Sequence, residues 1–262
     1  MDWFTWEPYY LKVANELKLN IEKDYEIAEK FSLLIKRDHP SGLNDILIKI
    51  KSKKPTNAWI FGAGPSLEGD FEVFKKFYSA KSDLIIGIDG TCLFLLEQKI
   101  YPDIIFSDLD GSLDAVLECI FHGSILIIHA HGDNFDSVLN FYPNITKFNF
   151  LPTVQTKPDE PYIFNVGGFT DGDRAISGIL EWFPLVKIIL LGFTFGKIQG
   201  RYSKPTKLKN HVNATEFKLK KLNFAKEFIM VLGNIYPNQL FNFSNPTETI
   251  TGVSQNLFYN KT

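Results

Sequence analysis

Between Asn57 and Gly192 the chain repeats one pattern: a short apolar run stops at Gly, Asp or His, and a stretch suited to a helix follows. The runs are Ala58 to Phe61, Leu84 to Ile88, Ile104 to Phe106, Ile125 to Ile128 and Ile188 to Leu191. This alternation predicts βαβ units, and hence an α/β fold with a doubly wound, mostly parallel sheet. A later run, Leu240 to Phe243, also reads as strand. Before Asn57 the period changes. From about residue 8 to 52, apolar positions such as Tyr25, Ile27, Ala28, Phe31, Leu34 and Ile35 recur at helical spacing, and Pro40-Ser41-Gly42 interrupts them. The amphipathic piece Leu43 to Ile50 then runs into Lys51-Ser52-Lys53-Lys54-Pro55, which has the composition of a boundary. We therefore expect a small helical N-terminal region, residues 1–54, packed on an α/β catalytic domain, residues 55–262. Nothing in the N-terminal region suggests chemistry.

Composition narrows the function classes. With 262 residues and 45% hydrophobic content, the chain can bury a sizeable core. A formal charge of −2 advertises neither a nucleic-acid surface nor a polybasic membrane patch, so neither partner is expected. No apolar run nears the ~20 residues that span a bilayer, and Met1 to Glu7 lacks the basic and apolar regions of a signal peptide. A cytoplasmic protein is expected. Cys92 and Cys119 lack metal-ligand spacing and read as small buried hydrophobes. Only three of 28 basic residues are arginine (Arg37, Arg174 and Arg201), so an arginine beside a motif is a candidate for its forked geometry.

Candidate chemistry gathers where the runs stop. In doubly wound sheets ligands sit beyond the carboxyl ends of the strands, so these residues should share one crevice. Asp108 and Asp110 flank Leu109 after the third run; on one face of a regular strand, both carboxylates would reach the same Mg²⁺. Gly62-Ala63-Gly64-Pro65-Ser66 precedes a helix and suits a phosphate cradle, although it matches neither the dinucleotide fingerprint nor the P-loop. Asp89 and Gly90 end the second run, with Thr91 placed to cap a helix and Asp89 a metal or ribose ligand. In His129-Ala130-His131-Gly132-Asp133-Asn134, His129 reads as structural, while His131, Asp133 and Asn134 face phosphate or metal-bound water. Gly167-Gly168-Phe169-Thr170-Asp171-Gly172-Asp173-Arg174 leads into the apolar helix Ile176 to Phe183. Here Asp171 is a candidate N-cap, both aspartates are candidate metal ligands, and Arg174 is a phosphate contact. Most lysines between Lys204 and Lys221 read as a solvated helix face; Arg201 and Lys221 are the candidate polyphosphate contacts.

Taken together and in order, Gly-Ala-Gly-Pro-Ser-Leu, Ser-Asp-Leu-Asp-Gly, His-Ala-His-Gly-Asp-Asn and Gly-Gly-Phe-Thr-Asp-Gly-Asp-Arg-Ala resemble the motifs of the archaeal MptE-like 6-hydroxymethyl-7,8-dihydropterin diphosphokinases, whose core is similar to that of thiamine pyrophosphokinases. The resemblance runs from about Asn57 to Lys226. It implies Mg²⁺-dependent transfer of a diphosphoryl group from ATP to the hydroxymethyl group of a reduced pterin alcohol, with release of AMP, in tetrahydromethanopterin or folate-type cofactor synthesis. On that reading Asp108, Asp110 and some of Asp89, Asp133, Asp171 and Asp173 hold metal, and Arg174, Arg201 and Lys221 neutralise phosphate. His131 or an aspartate takes the hydroxyl proton, and Phe169 and Asn165 are candidates for the pterin slot. Asp108-Leu109-Asp110-Gly111-Ser112 also resembles the nucleophile motif of haloacid-dehalogenase-type phosphatases, but that nucleophile usually ends the first core strand and two runs precede Asp108 here. A nucleotide-dependent glycosyltransferase of similar topology and a nucleotide sensor without turnover are also compatible with these residues. The sequence does not set the oligomeric state, and a homo-oligomer is compatible with it.

Overall fold

In the computed structural model, residues 2–244 and 250–255 are described. Three helices come first: α1 (Trp3–Leu17), α2 (Ile21–Asp38) and α3 (Asn44–Lys51). Asp2 caps α1 by accepting from the Thr5 amide at 3.1 Å, and Asn20 caps α2 by accepting from Lys23 at 3.0 Å. Glu22 and Asp24 in the first turn of α2, with Lys36 and Arg37 in its last, complement the helix dipole. The break at Pro40-Ser41-Gly42 falls where the sequence places it, with Gly42 at φ +73°. These helices do not keep a core of their own. Trp6, Tyr10, Phe31 and Ile35 belong to the same buried cluster as the sheet residues Ile86, Phe106 and Ile127.

The sheet and its helices follow as β1 (Asn57–Phe61), α4 (Leu67–Phe77), β2 (Asp83–Ile88), α5 (Thr91–Glu97), β3 (Ile104–Ser107), α6 (Leu113–Phe121), β4 (Ile125–Ala130), α7 (Phe135–Ile145), β5 (Phe150–Val154), α8 (Asp171–Trp182) and β6 (Lys187–Leu191). Next come the short β7 (Ile198–Gln199), a 3₁₀ turn at Arg201–Ser203, β8 (Val212–Asn213), α9 (Glu216–Ile235), β9 (Leu240–Asn242) and β10 (Ser254–Gln255). Eight strands form one sheet in the order β10-β9-β6-β1-β2-β3-β4-β5, and every pairing in it is parallel. Helices cover both faces, which is why β2, β3 and β4 are buried throughout and read as unbroken apolar runs.

Winding runs outward from β1 to β5, then returns to β6 on the other side of β1. The strand order therefore reverses between β1 and β6, where doubly wound sheets open a crevice. Two features differ from the sequence expectation. Strand β5 carries Pro152 and Thr153, which break the apolar-run signal; the proline is tolerated because β5 is an edge strand. Residues 204–215 are not a helix face. β7 pairs antiparallel with β8, and the loop between them folds back over the carboxyl ends of the sheet before Thr215 caps α9 by accepting from Lys218 at 3.1 Å.

Candidate active site

A cavity of about 520 Å³ lies along the carboxyl ends of β6, β1, β2, β3, β4 and β5. At the reversal point two glycine turns interlock. A Cβ on Gly64 would stand 2.2 Å from the Gly192 carbonyl oxygen, and one on Gly192, at φ +73°, would stand 2.0 Å from that of Gly62. Only glycine permits this approach. The same geometry uses up two amides, since Gly62 N–H donates to Leu191 at 2.7 Å and Gly64 N–H to Gly192 at 2.8 Å. Gly62, Ala63 and Gly64 line the cavity, while Pro65 and Ser66 do not; the Ser66 hydroxyl instead donates to Asp70 at 2.7 Å.

The centre of the cavity is acidic. One carboxylate oxygen from each of Asp89, Asp108 and Asp110 lies within 4.8 Å of the others. Regular strand alternation is not what joins them. β3 ends at Ser107, and Leu109 sits at φ +67°, so a left-handed kink between the two aspartates delivers both to one point. Asp89 is itself at φ +41°, and backbone strain of this kind persists where surrounding contacts hold it. Ser107 is one such contact: it donates to Asp89 at 2.6 Å and accepts from Leu109 N–H at 2.9 Å. Asn134 donates to the carbonyls of Asp108 and His129, both at 2.8 Å, and accepts from the His131 amide at 2.8 Å. Asn134 is thus a buried clamp between the β3 and β4 turns, not a phosphate ligand. Gly90 is pressed against the Tyr202 carbonyl, 2.1 Å from an added Cβ. Thr91 accepts from Ile88 N–H at 2.8 Å instead of capping its helix. Three hard carboxylates without a thiol suit a divalent cation of the oxygen-binding kind.

The two aspartates that open α8 part company. Thr170, not Asp171, is the N-cap, and Asp173 closes the capping box: its carboxylate accepts from the amides of Phe169 and Thr170, each at 2.7 Å, and from the Thr170 hydroxyl. Asp173 is therefore spent on the helix end, which argues against metal ligation. Asp171 faces the cavity and accepts from Arg174 at 2.8 Å. Arg174 also donates to the Phe169 carbonyl and is only 4% exposed, so the α8 turn fixes the orientation of its guanidinium. Asp133 is an exposed residue on the rim, outside the triad.

Cations complete the surroundings. Lys204 Nζ stands 3.0 Å from Asp110, and His131 Nε2 stands 3.8 Å from Asp108. From α9, Lys218 and Lys221 line the cavity one helical turn apart, with Lys221 Nζ 5.3 Å from the centre of the Phe169 ring. Arg201 lies outside the cavity and pairs with Glu68 at 2.9 Å. Asn165 also lies outside it, bonded to Thr156 and Gly167, whereas Phe169 is on the wall. His129 is buried and structural, held to Thr153 at 3.1 Å. Sequence reasoning misses Lys218, although its i,i+3 spacing from Lys221 is a usable signal; Lys204 carries none.

Electrostatics follow from this crowding. Burial, then the charges of Asp171 and Asp108, raise the Asp89 pKa well above the carboxylate range. Burial opposes ionisation of Asp108, yet its hydrogen bond to His131 and the charges of His131, Lys221 and Arg174 together hold it at about 2. Asp171 is pushed up to about 7, by burial and then by the charge of Asp108, against the pull of Arg174. Burial and the neighbouring charge of Lys221 lower the Lys218 ammonium.

Fold and site together define a doubly wound α/β protein whose sheet ends present an acidic cation site ringed by basic side chains, a class equipped to handle polyphosphates. The chain belongs to the MptE-like family: the model described as 6-hydroxymethylpterin diphosphokinase MptE-like matches residues 35–200. A relative from Pyrococcus furiosus, named 6-hydroxymethyl-7,8-dihydropterin pyrophosphokinase, is 37% identical over 93% of this chain and 100% of its own length. Relatives of the same name from Methanocaldococcus jannaschii and Methanothermobacter thermautotrophicus are 34% and 30% identical, covering 88% and 86% of this chain and 96% and 92% of theirs. Among solved structures, the Maf glycosyltransferase of Magnetospirillum magneticum aligns with a TM-score of 0.52 and 14% identity, covering 82% of this chain and 38% of that one. That likeness is one of fold alone. No helix among the described residues is long and apolar enough to cross a membrane.

Proposed function

We propose that this chain transfers a diphosphoryl group from ATP to the hydroxymethyl group of 6-hydroxymethyl-7,8-dihydropterin and releases AMP. The observation that carries the reading is the cavity in which the Asp89-Asp108-Asp110 triad faces Arg174, Lys204, Lys218 and Lys221, in a member of the MptE-like family. Diphosphoryl transfer depends mainly on positioning and charge neutralisation, and these groups are suited to both. The substrate oxygen attacks the β-phosphorus, the bond from that phosphorus to the oxygen bridging the α-phosphate breaks, and AMP leaves with the bridging oxygen. Asp89, Asp108 and Asp110 would hold Mg²⁺, which supplies neutralisation of phosphate charge when bound. Arg174 presents a forked donor set to phosphate oxygens from a fixed direction, while the lysines of α9 and Lys204 act as point charges. Asp171, with its affinity for protons near neutrality, is suited to accept the hydroxyl proton.

Purified protein with ATP, Mg²⁺ and a panel of alcohols that includes the reduced pterin and thiamine tests this directly. AMP formation that requires the pterin alcohol is expected. ATP left intact with every alcohol, or orthophosphate as the only product, would refute it.

A further inference from the structure

The elbow between α1 and α2 brings to the cavity a residue that no motif announces. Asp24, in the first turn of α2, is 5% exposed. Its Oδ1 accepts from Gly132 N–H at 2.7 Å; its Oδ2 accepts from the Tyr10 hydroxyl at 2.9 Å and from Gln155 Nε2 at 2.7 Å. All three donors are neutral, and no ion-pair partner for Asp24 exists among the described residues. A carboxylate offers about four acceptor positions, so a place on Oδ1 remains. Both Asp24 and Gln155 line the cavity. A buried carboxylate met only by neutral donors is costly, and the cost is lowered by a ligand that brings further N–H groups.

Position says which ligand. In the strand order β6-β1-β2-β3-β4-β5, the crevice at β6 and β1 lies on one side of the acidic triad, and the Asp24-Gln155 end, beyond β4 and β5, lies on the other. A nucleotide at the crevice and an alcohol at the Asp24 end would place the triad between donor and acceptor, where the transferred group must pass. The elbow lies outside the sheet, and the sheet is shared in fold with a glycosyltransferase at 14% identity. Acceptor choice belongs on elements outside that common sheet.

We infer that Asp24 is a specificity-determining residue of the acceptor site: its Oδ1 receives an N–H from the aminopyrimidinone edge of the pterin ring, with Phe169 on the same cavity as an apolar face. This rests on the diphosphokinase reading. An edge bearing an oxo group in place of the 2-amino group meets the carboxylate with a lone pair and is rejected.

The test compares 6-hydroxymethyl-7,8-dihydropterin with its 2-oxo counterpart, the dihydrolumazine alcohol, as acceptors. The unaltered protein should favour the pterin in kcat/KM by about 100-fold, the size of losing a charged hydrogen bond and leaving its partner unmatched. Asp24→Asn should cut this to about fivefold or less, because the carboxamide oxygen that stays toward Gly132 N–H meets the pterin N–H without a charge, with KM for ATP unchanged. Discrimination that survives in Asp24→Asn, or KM values for ATP and both alcohols that rise together, would overturn the inference. If Asp24→Asn does not fold, Gln155→Leu carries the same comparison: it removes the donor that orients the carboxylate and should reduce discrimination, and an unchanged ratio would count against Asp24. Failure of the unaltered protein to use either alcohol would refute the function itself, and this assignment with it.

Discussion

The two walls of the cavity are built on different physical terms. One wall is backbone: the turns after β1, β2, β3 and β6, where interlocked glycines and the left-handed residues Asp89 and Leu109 leave no slack. The other is side chain: Lys218 and Lys221 from α9, Lys204 from the returning loop, and Asp24 from the N-terminal elbow. Strain on the first wall fixes three carboxylates within 4.8 Å, a spacing that like charges resist without a cation. Long flexible cations on the second can follow a phosphate as it moves. The difference assigns preorganisation to the sheet and ligand capture to the helices.

Breaking the sheet wall should cost most. Asp110→Asn removes a carboxylate from the triad while keeping shape, and should lower kcat on the order of 10³-fold with the fold retained, since preorganised contacts to the transferring group carry that much; steady-state AMP release checks this, and unchanged turnover at saturating Mg²⁺ would remove Asp110 from the cation site. Gly64→Ala drives a methyl into the Gly192 carbonyl, a backbone atom that cannot step aside, so denaturant unfolding should show a loss of about 3 kcal/mol. Gly69→Ala in α4, with nothing within 4 Å of an added Cβ, is the control and should gain about 0.5–1 kcal/mol.

Away from the strand-end turns, at Arg174 and on the side-chain wall, the effects shrink. Arg174→Lys replaces a fork by a point charge and should raise KM for ATP about tenfold. Lys218→Met should do so by less, because Lys221 stands on the same helix face one turn away.

Protonation separates the walls in another way. Asp89 and Asp171 bind protons more tightly in the folded chain than in the unfolded one, so the metal-free protein loses stability as pH rises above about 4, the unfolded carboxylate value, with the Asp171 part lost by about 7. Asp108, held at about 2, adds stability above the unfolded value and loses it only in stronger acid, outside that window. Melting temperatures in EDTA should therefore be lower at pH 8 than at pH 5, and Mg²⁺ should narrow the gap. A flat profile in EDTA would contradict the crowding of Asp89 and Asp171 against Asp108.

Much of the sheet wall is legible in the sequence. Apolar runs ending in Gly62, Asp89, Asp108 and His129 place the strands to within a residue or two, because strands buried on both faces must be apolar throughout. Strand alternation pairs Asp108 with Asp110 for a reason that does not hold: they meet across the kink at Leu109, and nothing in the spelling of that turn announces a positive φ. The Gly62 to Ser66 stretch reads as a phosphate cradle, yet two of its amides bond to the β6 turn, a long-range pairing invisible to local pattern. Side-chain walls are harder still. Asp24 lies 108 residues from Gly132 and 131 from Gln155, so only the packing of α2 on the sheet brings them together. Arg201 reads as a phosphate ligand by type, but Glu68 engages it outside the cavity.

The central claim, that the β- and γ-phosphates move as one unit to an alcohol across the Asp89-Asp108-Asp110 triad, is tested most directly by following ATP labelled at the β-phosphorus. The label should appear in the pterin diphosphate, one for each AMP released, and neither in AMP nor on the protein. Label retained in ADP, or released as orthophosphate, would contradict it.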